Sequence, residues 1–239
     1  VESWVEVADR VLVLRHRPDA IDVSTTAVVG PHGVVVVDAL GSPTQARRAR
    51  GLLAEVTSAP VVGLVLTHAH WDHAFGASAY ADVPSWAHHR YIVHLAEHEA
   101  AELATGHAGD HAPDDDAPWD DVDLAPPDVP VPRTTTIRPG GRDLVLRPLD
   151  VAHTTCDLVV HVPDAGVWVV GDVVEESGEP SLEIDSDPAR WARQLTALAG
   201  RMAARDVVVP GHGAVVDRAF VRAQAVGLAA AARARPPVT

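Results

Sequence analysis

A chain of 239 residues, 47% of them hydrophobic, is long enough for one large domain with a substantial core and too short for two of ordinary size. Its formal charge of −14, from 33 acidic against 19 basic residues, all of the latter arginine, repels polyphosphates and argues against a nucleic-acid binder or nuclease. The single thiol, Cys156, excludes an internal disulfide and a cysteine-rich zinc site, and no apolar run reaches the roughly 18 residues of a membrane helix. The opening Val1-Glu2-Ser3-Trp4 has neither the basic start nor the apolar core of a signal. The expectation is a cytoplasmic protein acting on a small molecule, with no nucleic-acid and no membrane partner.

Residues 4–7 and 11–15 read as one β-hairpin, and residues 23–30 and 34–38 as a clearer one turning at Pro31-His32-Gly33. The run Val34-Val35-Val36-Val37 is apolar on both faces, so its strand should be covered on both sides. Asp38 closes that run, either as a loop cap or as a group supporting a site. Ser42-Pro43 is an N-cap with proline at the first helical position. Ala46, Ala49, Leu52, Leu53 and Val56 at three-and-four spacing predict a helix to about residue 56 with one face on a sheet. A strand at 61–66 follows, giving a parallel strand pair with a covering helix. That strand empties into Thr67-His68-Ala69-His70-Trp71-Asp72-His73. In extended chain His68 and His70 share a face, and a following helical turn would swing Asp72 and His73 toward a second point. One short segment would thus seed two cation sites, because imidazoles and carboxylates at this density need a cation to offset desolvation and mutual repulsion.

Beyond it, the pattern predicts a short helix at 74–79, a short strand at 85–87 and a helix at 89–104. His94 and His98 stand four apart on that helix, and His107 and His111 in a loop; each pair could in principle hold a metal. From 97 to 128 the chain is rich in Asp, Pro, Ala and His and has no basic residue. The acidic stretch at about 105–132 reads as an insertion within one domain spanning 1–239, either solvated or acting as a lid. Strands at 134–138, 143–148, 158–162 and 167–170 follow; Asp187-Pro188 then opens a helix to about 198, before a strand at 206–209 and a helix at 217–231. In each half strands come first, then a helix, a strand and a helix. That order suggests an α/β fold, an αββα sandwich of two sheets packed face to face with helices outside.

Three residues of the second half stand where αβ folds place their chemistry, at the carboxyl ends of strands. His153 lies in Ala152-His153-Thr154-Thr155, Asp172 follows Val169-Val170-Gly171, and His212 lies in Pro210-Gly211-His212-Gly213. The neighbouring glycines would let the backbone approach an ion. The segment from Thr67 to His73, with these three residues downstream in order, resembles the HxHxDH signature of the metallo-β-lactamase superfamily. The likeness runs from the strand at 34–38 to Gly213 and implies the same αββα sandwich. Carried over by position, it implies that His68, His70 and His153 hold one ion, that Asp72, His73 and His212 hold a second, and that Asp172 bridges them. It also implies that Asp38 supports the histidine loop. Imidazole and carboxylate suit two Zn2+, and iron or manganese would be accepted as well.

The implied activity is that of a binuclear metal-dependent hydrolase, in which a metal-bridging hydroxide attacks a carbonyl of a small ester, thioester or lactone. Asp72 would hold the second ion and orient the nucleophile. Asp172 bears on the substrate: β-lactamases of the family usually carry Cys or Ser there, whereas glyoxalase II and lactonase members carry the bridging Asp, so β-lactam hydrolysis is less expected. The chain has no lysine for an anionic thioester, and Tyr80 and Tyr91 are its candidate lactonase tyrosines. Cys156, where many relatives have a small glycine, reads as a buried spacer. The rival readings are a mononuclear iron persulfide dioxygenase using His68, His70, His153 and Asp172, and a non-catalytic metal-binding domain.

Overall fold

The computed structural model describes residues 2–16, 22–106, 119–182 and 186–234. Strands β1 (Val5–Ala8) and β2 (Val11–His16) form a hairpin, and β3 (Val23–Gly30) pairs antiparallel with both β2 and β4 (Gly33–Val37). Helix α1 (Pro43–Val56) is capped by the Ser42 side chain, which accepts from Gln45 N, with Pro43 in its first turn. It returns the chain to β5 (Val61–Val65), parallel to β4. Helix α2 (Trp71–Ala74) and a 3-10 turn (Ala77–Tyr80) follow in place of the single helix expected at 74–79. Next come β6 (Ser85–His88), α3 (Tyr91–His94), a π-helical turn (Leu95–Glu99) and α4 (Ala100–Thr105).

The stretch read as an insertion contains a strand, β7 (Val129–Val131), which extends the sheet beside β6. Pro130 is tolerated there because the strand is at the sheet edge. Asp128 anchors it, accepting from Ser85 N and Oγ, both at 2.8 Å. His107 and His111 lie outside the described residues.

In the second half β8 (Thr135–Ile137), β9 (Leu144–Pro148), β10 (Leu158–Val162) and β11 (Val167–Glu175) are successive antiparallel neighbours. Helix α5 (Pro188–Ala199), capped by Asp187, leads to β12 (Val207–His212), parallel to β11, and α6 (Arg218–Ala234) follows. The two halves join where β12 meets β3 through the one register pair His212 and Val23.

The apolar residues sort into three layers. Val35 and Val37 of β4 pack with Val65, Leu144, Leu158, Val160 and Val209, between the two sheets. Their alternates Val34 and Val36 face Ala46, Ala49 and Leu53 of α1. Trp168, Val170 and Val208 face Trp191, Leu195, Val221 and Leu228 of α5 and α6. Helix, sheet, sheet, helix is the αββα sandwich anticipated, and the four-valine run is covered on both sides as its composition required. Val56, expected on the buried face of α1, is exposed at the helix end. Among the described residues no helix is long and apolar enough to cross a membrane.

Candidate metal centre

Because β4 and β5 are parallel neighbours, their carboxyl ends lie side by side, with Asp38 leaving one and Thr67-His68 the other. Asp38 is buried and holds the whole histidine loop: Oδ1 accepts from Thr67 N at 2.7 Å, and Oδ2 accepts from Thr67 Oγ1 at 2.8 Å and from His73 Nδ1 at 3.1 Å. With its proton donated to Asp38, Thr67 Oγ1 accepts from His68 Nδ1 at 3.0 Å. One carboxylate therefore fixes the rings of both His68 and His73 with Nε2 turned toward the other donors. Asp38 does this from a left-handed backbone conformation, φ +67°, which aspartate enters more readily than most residues but still at a cost. Of the two readings of Asp38, support for the site is the one the geometry favours.

Asp72 and His73 stand on α2, rotated away from the extended His68 and His70 as the spacing required. Asp172 departs from its expected place: β11 runs on to Glu175, so this carboxylate sits within a strand rather than after one. The adjoining glycines serve side chains more than an ion. A Cβ on Gly171 (φ +56°) would lie 2.6 Å from Thr67 Oγ1, and one on Gly211 would lie 1.7 Å from Asp172 Oδ1. His212 ends β12 and donates from Nδ1 to the Asp22 carbonyl at 3.1 Å, which again frees Nε2. His153 lies on the loop after β9, where Ser186 Oγ donates to its carbonyl at 2.7 Å and Asp157 ties down Thr154 N at 2.9 Å.

All seven anticipated residues converge, in two groups: His68, His70, His153 and Asp172; and Asp72, His73, Asp172 and His212. In the first, His70 Nδ1 is 3.0 Å from His153 Nε2, and Asp172 Oδ2 is 3.7 Å from His68 Nε2 and 3.6 Å from His153 Nε2. In the second, His73 Nε2 lies 3.1 Å from Asp172 Oδ1, 3.6 Å from Asp72 Oδ2 and 3.5 Å from His212 Nε2. His212 Nε2 completes it at 3.3 Å from Asp72 Oδ2 and 3.1 Å from Asp172 Oδ2. Metal–nitrogen bonds of about 2.0–2.1 Å in a tetrahedron separate the donors by about 3.3 Å. The spacings seen bracket that value. His68 Nε2 is moreover buried with no hydrogen-bond partner, which is costly for a lone pair unless a cation takes it.

The two groups differ electrostatically. Burial drives His68 well below its ordinary value, with Asp172 opposing only in part, and burial with the neighbouring His70 takes His153 down to about 3. Their lone pairs are available at neutral pH. Burial also acts to lower His73 and His212, but Asp172 and Asp72 outweigh it, holding His73 well above its usual range and His212 at about 12. Asp172 is in turn held well below the carboxylate range, since His212, His73 and His68 overcome its desolvation. The second group thus carries protons that a dication would replace.

Other sequence candidates fall elsewhere. Cys156 is fully buried in the core beneath the first sheet, as a spacer would be. Tyr80 and Tyr91 are both 2% exposed and belong to that core, so neither is placed as a substrate-facing phenol; Tyr80 lies under the Arg50 guanidinium at 5.0 Å. The rings of His94 and His98 are 4.5 Å apart, but the donors that group with His94 are His70 and Glu99. The π-helical turn explains why. Residues five apart diverge on an α-helix, and the extra residue of the wider turn returns Glu99 Oε1 to 3.8 Å from His94 Nε2. Nothing in Leu95-Ala96-Glu97-His98-Glu99 signals that turn, so this third group was not foreseen.

Two histidine–aspartate donor clusters sharing one carboxylate, set at strand ends of an αββα sandwich, define a metal-dependent, hydrolase-like class of protein. The chain matches the family model of the metallo-beta-lactamase superfamily over residues 18–212, and it belongs to that superfamily. Solved structures with the same fold include the metallo-beta-lactamase from Pontibacter korlensis, at 19% identity and TM-score 0.75, covering 95% of this chain and 99% of that one. The metallo-beta-lactamase FIM-1 from Pseudomonas aeruginosa in its mono-zinc form is similar at 17% identity and TM-score 0.77, covering 98% and 97%. The metallo-beta-lactamase from Erythrobacter litoralis matches at 20% identity and TM-score 0.75, covering 96% of each chain.

Proposed function

We propose that this chain is a binuclear metal-dependent hydrolase of small esters, thioesters or lactones, with zinc as the first choice of cation. The observation that carries the reading is Asp172, whose carboxylate faces both donor groups: Oδ2 faces His68 and His153 of one and His212 of the other, and Oδ1 faces His73 of the other. Bound dications would supply a water acidic enough to be ionised near neutral pH and a Lewis acid for the substrate carbonyl. The protein's own part is orientation. Asp38 through Thr67, and the Asp22 carbonyl through His212, fix which nitrogen each ring presents. Asp72, buried and held ionised because His73 and His212 overcome its desolvation, is placed to hold the second ion and to orient the attacking water. An all-imidazole and carboxylate donor set would accept iron or manganese too. The choice of substrate class rests on the bridging Asp172; the β-lactamases among the structural neighbours, at 17–20% identity, share the fold.

The test is elemental analysis of protein purified without added metal, followed by turnover of a panel of esters, thioesters, lactones and β-lactams. Close to two zinc ions per chain and turnover of the first three classes are expected. A single iron with oxygen uptake on a persulfide would replace the hydrolase by the dioxygenase, and a β-lactam as preferred substrate would overturn the substrate assignment. Less than about half an ion, not recovered on reconstitution, would leave a non-catalytic domain, since a site built this way should hold metal tightly.

A further inference from the structure

Helix α5 buries Trp191, Ala192, Leu195 and Leu198 against the second sheet. At the edge of that buried stripe Arg190, Gln194 and Ala197 recur at helical intervals, with Arg193 beside them and Arg201 in the turn just after the helix. Across from this flank stands Arg147 of β9. Between them is a cavity of about 290 Å³ whose walls include Arg147, Arg190, Arg193 and Arg201. Four of the 19 basic residues of a chain with 33 acidic ones converge there, against the trend of the whole surface.

Among the described residues only one of the four is neutralised. Arg190 pairs with Asp150 at 3.3 Å and with Asp187 at 3.2 Å. Among the described residues Arg147, Arg193 and Arg201 form no ion pair. Arg147 Nε is buried without a hydrogen-bond partner while its guanidinium lies over the Trp168 ring at 5.9 Å. Burial, and Arg201 beside it, push the Arg147 guanidinium below its ordinary value. A half-buried guanidinium facing another positive charge is costly unless an anion lies between them.

We propose that this cavity is an anion subsite for a phosphate group, either inorganic phosphate or the phosphate of a small monoester. Three unneutralised guanidiniums around one small space match an anion with more than one charge and several acceptor oxygens, and planar forks suit oxyanions of that kind. Its volume is just below that of small-ligand pockets, which run from about 300 to 1,000 Å³, as suits an occupant as small as a phosphate group. None of the seven cation donors lines it, so it is separate from the metal centre. It does touch the loop that carries His153: Leu149 and Asp150 form part of its wall, and Gln194 clamps Asp150 N at 3.0 Å and the Val151 carbonyl at 3.2 Å.

The experiment is isothermal titration of the metal-loaded protein, at low ionic strength, with inorganic phosphate and separately with glycerol phosphate. It is repeated on Arg193→Gln/Arg201→Gln, two exposed positions whose change leaves the core intact. A charge-matched control is Arg47→Gln/Arg48→Gln, on α1. Expected is one site per chain in the parent, weakened about tenfold or more by losing two charge-assisted bonds, and unaltered in the control. Binding of the monoester alone would support the site and assign it to an organic phosphate. Absence of binding in the parent, undiminished binding in the cavity variant, or equal weakening in both variants would overturn the proposal.

Discussion

Replacing Asp38 by Asn tests whether the donor rings depend on one carboxylate behind them. Asn has nearly the same volume and also enters the left-handed region, so the φ of +67° need not change. What changes is acceptor capacity. Asp38 receives three hydrogen bonds, from Thr67 N, Thr67 Oγ1 and His73 Nδ1, at 2.7, 2.8 and 3.1 Å. An amide keeps one carbonyl oxygen for Thr67 N and turns its NH2 group toward the other two donors. Thr67 Oγ1 then has no charged acceptor and no longer orients His68, and His73 loses the partner that holds its ring with Nε2 toward the second ion. Losing such outer partners costs about 10–100-fold in metal affinity, or about 1.4–2.7 kcal/mol. A competition titration against a chromogenic zinc chelator, performed on parent and variant, reads this directly. Affinity for the second ion within about threefold of the parent would refute the dependence, provided that circular dichroism shows the fold retained.

Further outcomes follow from other parts of the site. Gly211→Ala places a Cβ 1.7 Å from the present Asp172 Oδ1; the carboxylate must move, and the ion count should drop below two per chain while the far-ultraviolet spectrum stays native. Asp72→Ala should abolish turnover of the best ester without unfolding the protein, and activity within about tenfold of the parent would sink its assigned role. Since His73 and His212 hold protons in the cation-free protein, zinc binding should release protons at pH 7 and strengthen as pH rises, which titration in buffers of different ionisation enthalpy measures. His88 is buried and donates Nε2 to the Leu149 carbonyl while Nδ1 accepts from Arg90 N, and burial with the adjacent His89 lowers it to about 4. Between that value and the unfolded value of about 6.5 the unfolded chain binds more protons, so this contribution to stability is full above the window and lost as pH falls through it. His88→Asn should flatten the loss of the urea midpoint between pH 7 and 4; an equal loss in parent and variant would contradict the assignment.

The parts legible in the sequence are those whose cause is local. Ser42-Pro43 and Asp187-Pro188 start helices because cap and proline act on the turn that follows, and both caps are seen. His68, His70, Asp72 and His73 lie within six consecutive residues, so a change of backbone period from two to 3.6 is enough to divide them between two points. The parts that were not legible depend on distant partners. Val129-Pro130-Val131 becomes a strand only because β6 offers an edge. Gly171-Asp172 interrupts an apolar run and reads as a strand end, yet β12 keeps β11 extended beyond it. The role of Gly211 follows from where Asp172 projects, which no residue near Gly211 in sequence announces.

The two halves share an apolar layer between their sheets, but their backbone pairing is narrow, one register pair at His212 and Val23. Both donor groups straddle it: His68 and His70 face His153 and Asp172, and Asp72 and His73 face Asp172 and His212. Ions held there would rivet one half of the sandwich to the other at its rim. Chelation should therefore reach beyond chemistry, lowering the melting temperature of a transition that the apolar layer shared by the two sheets keeps cooperative.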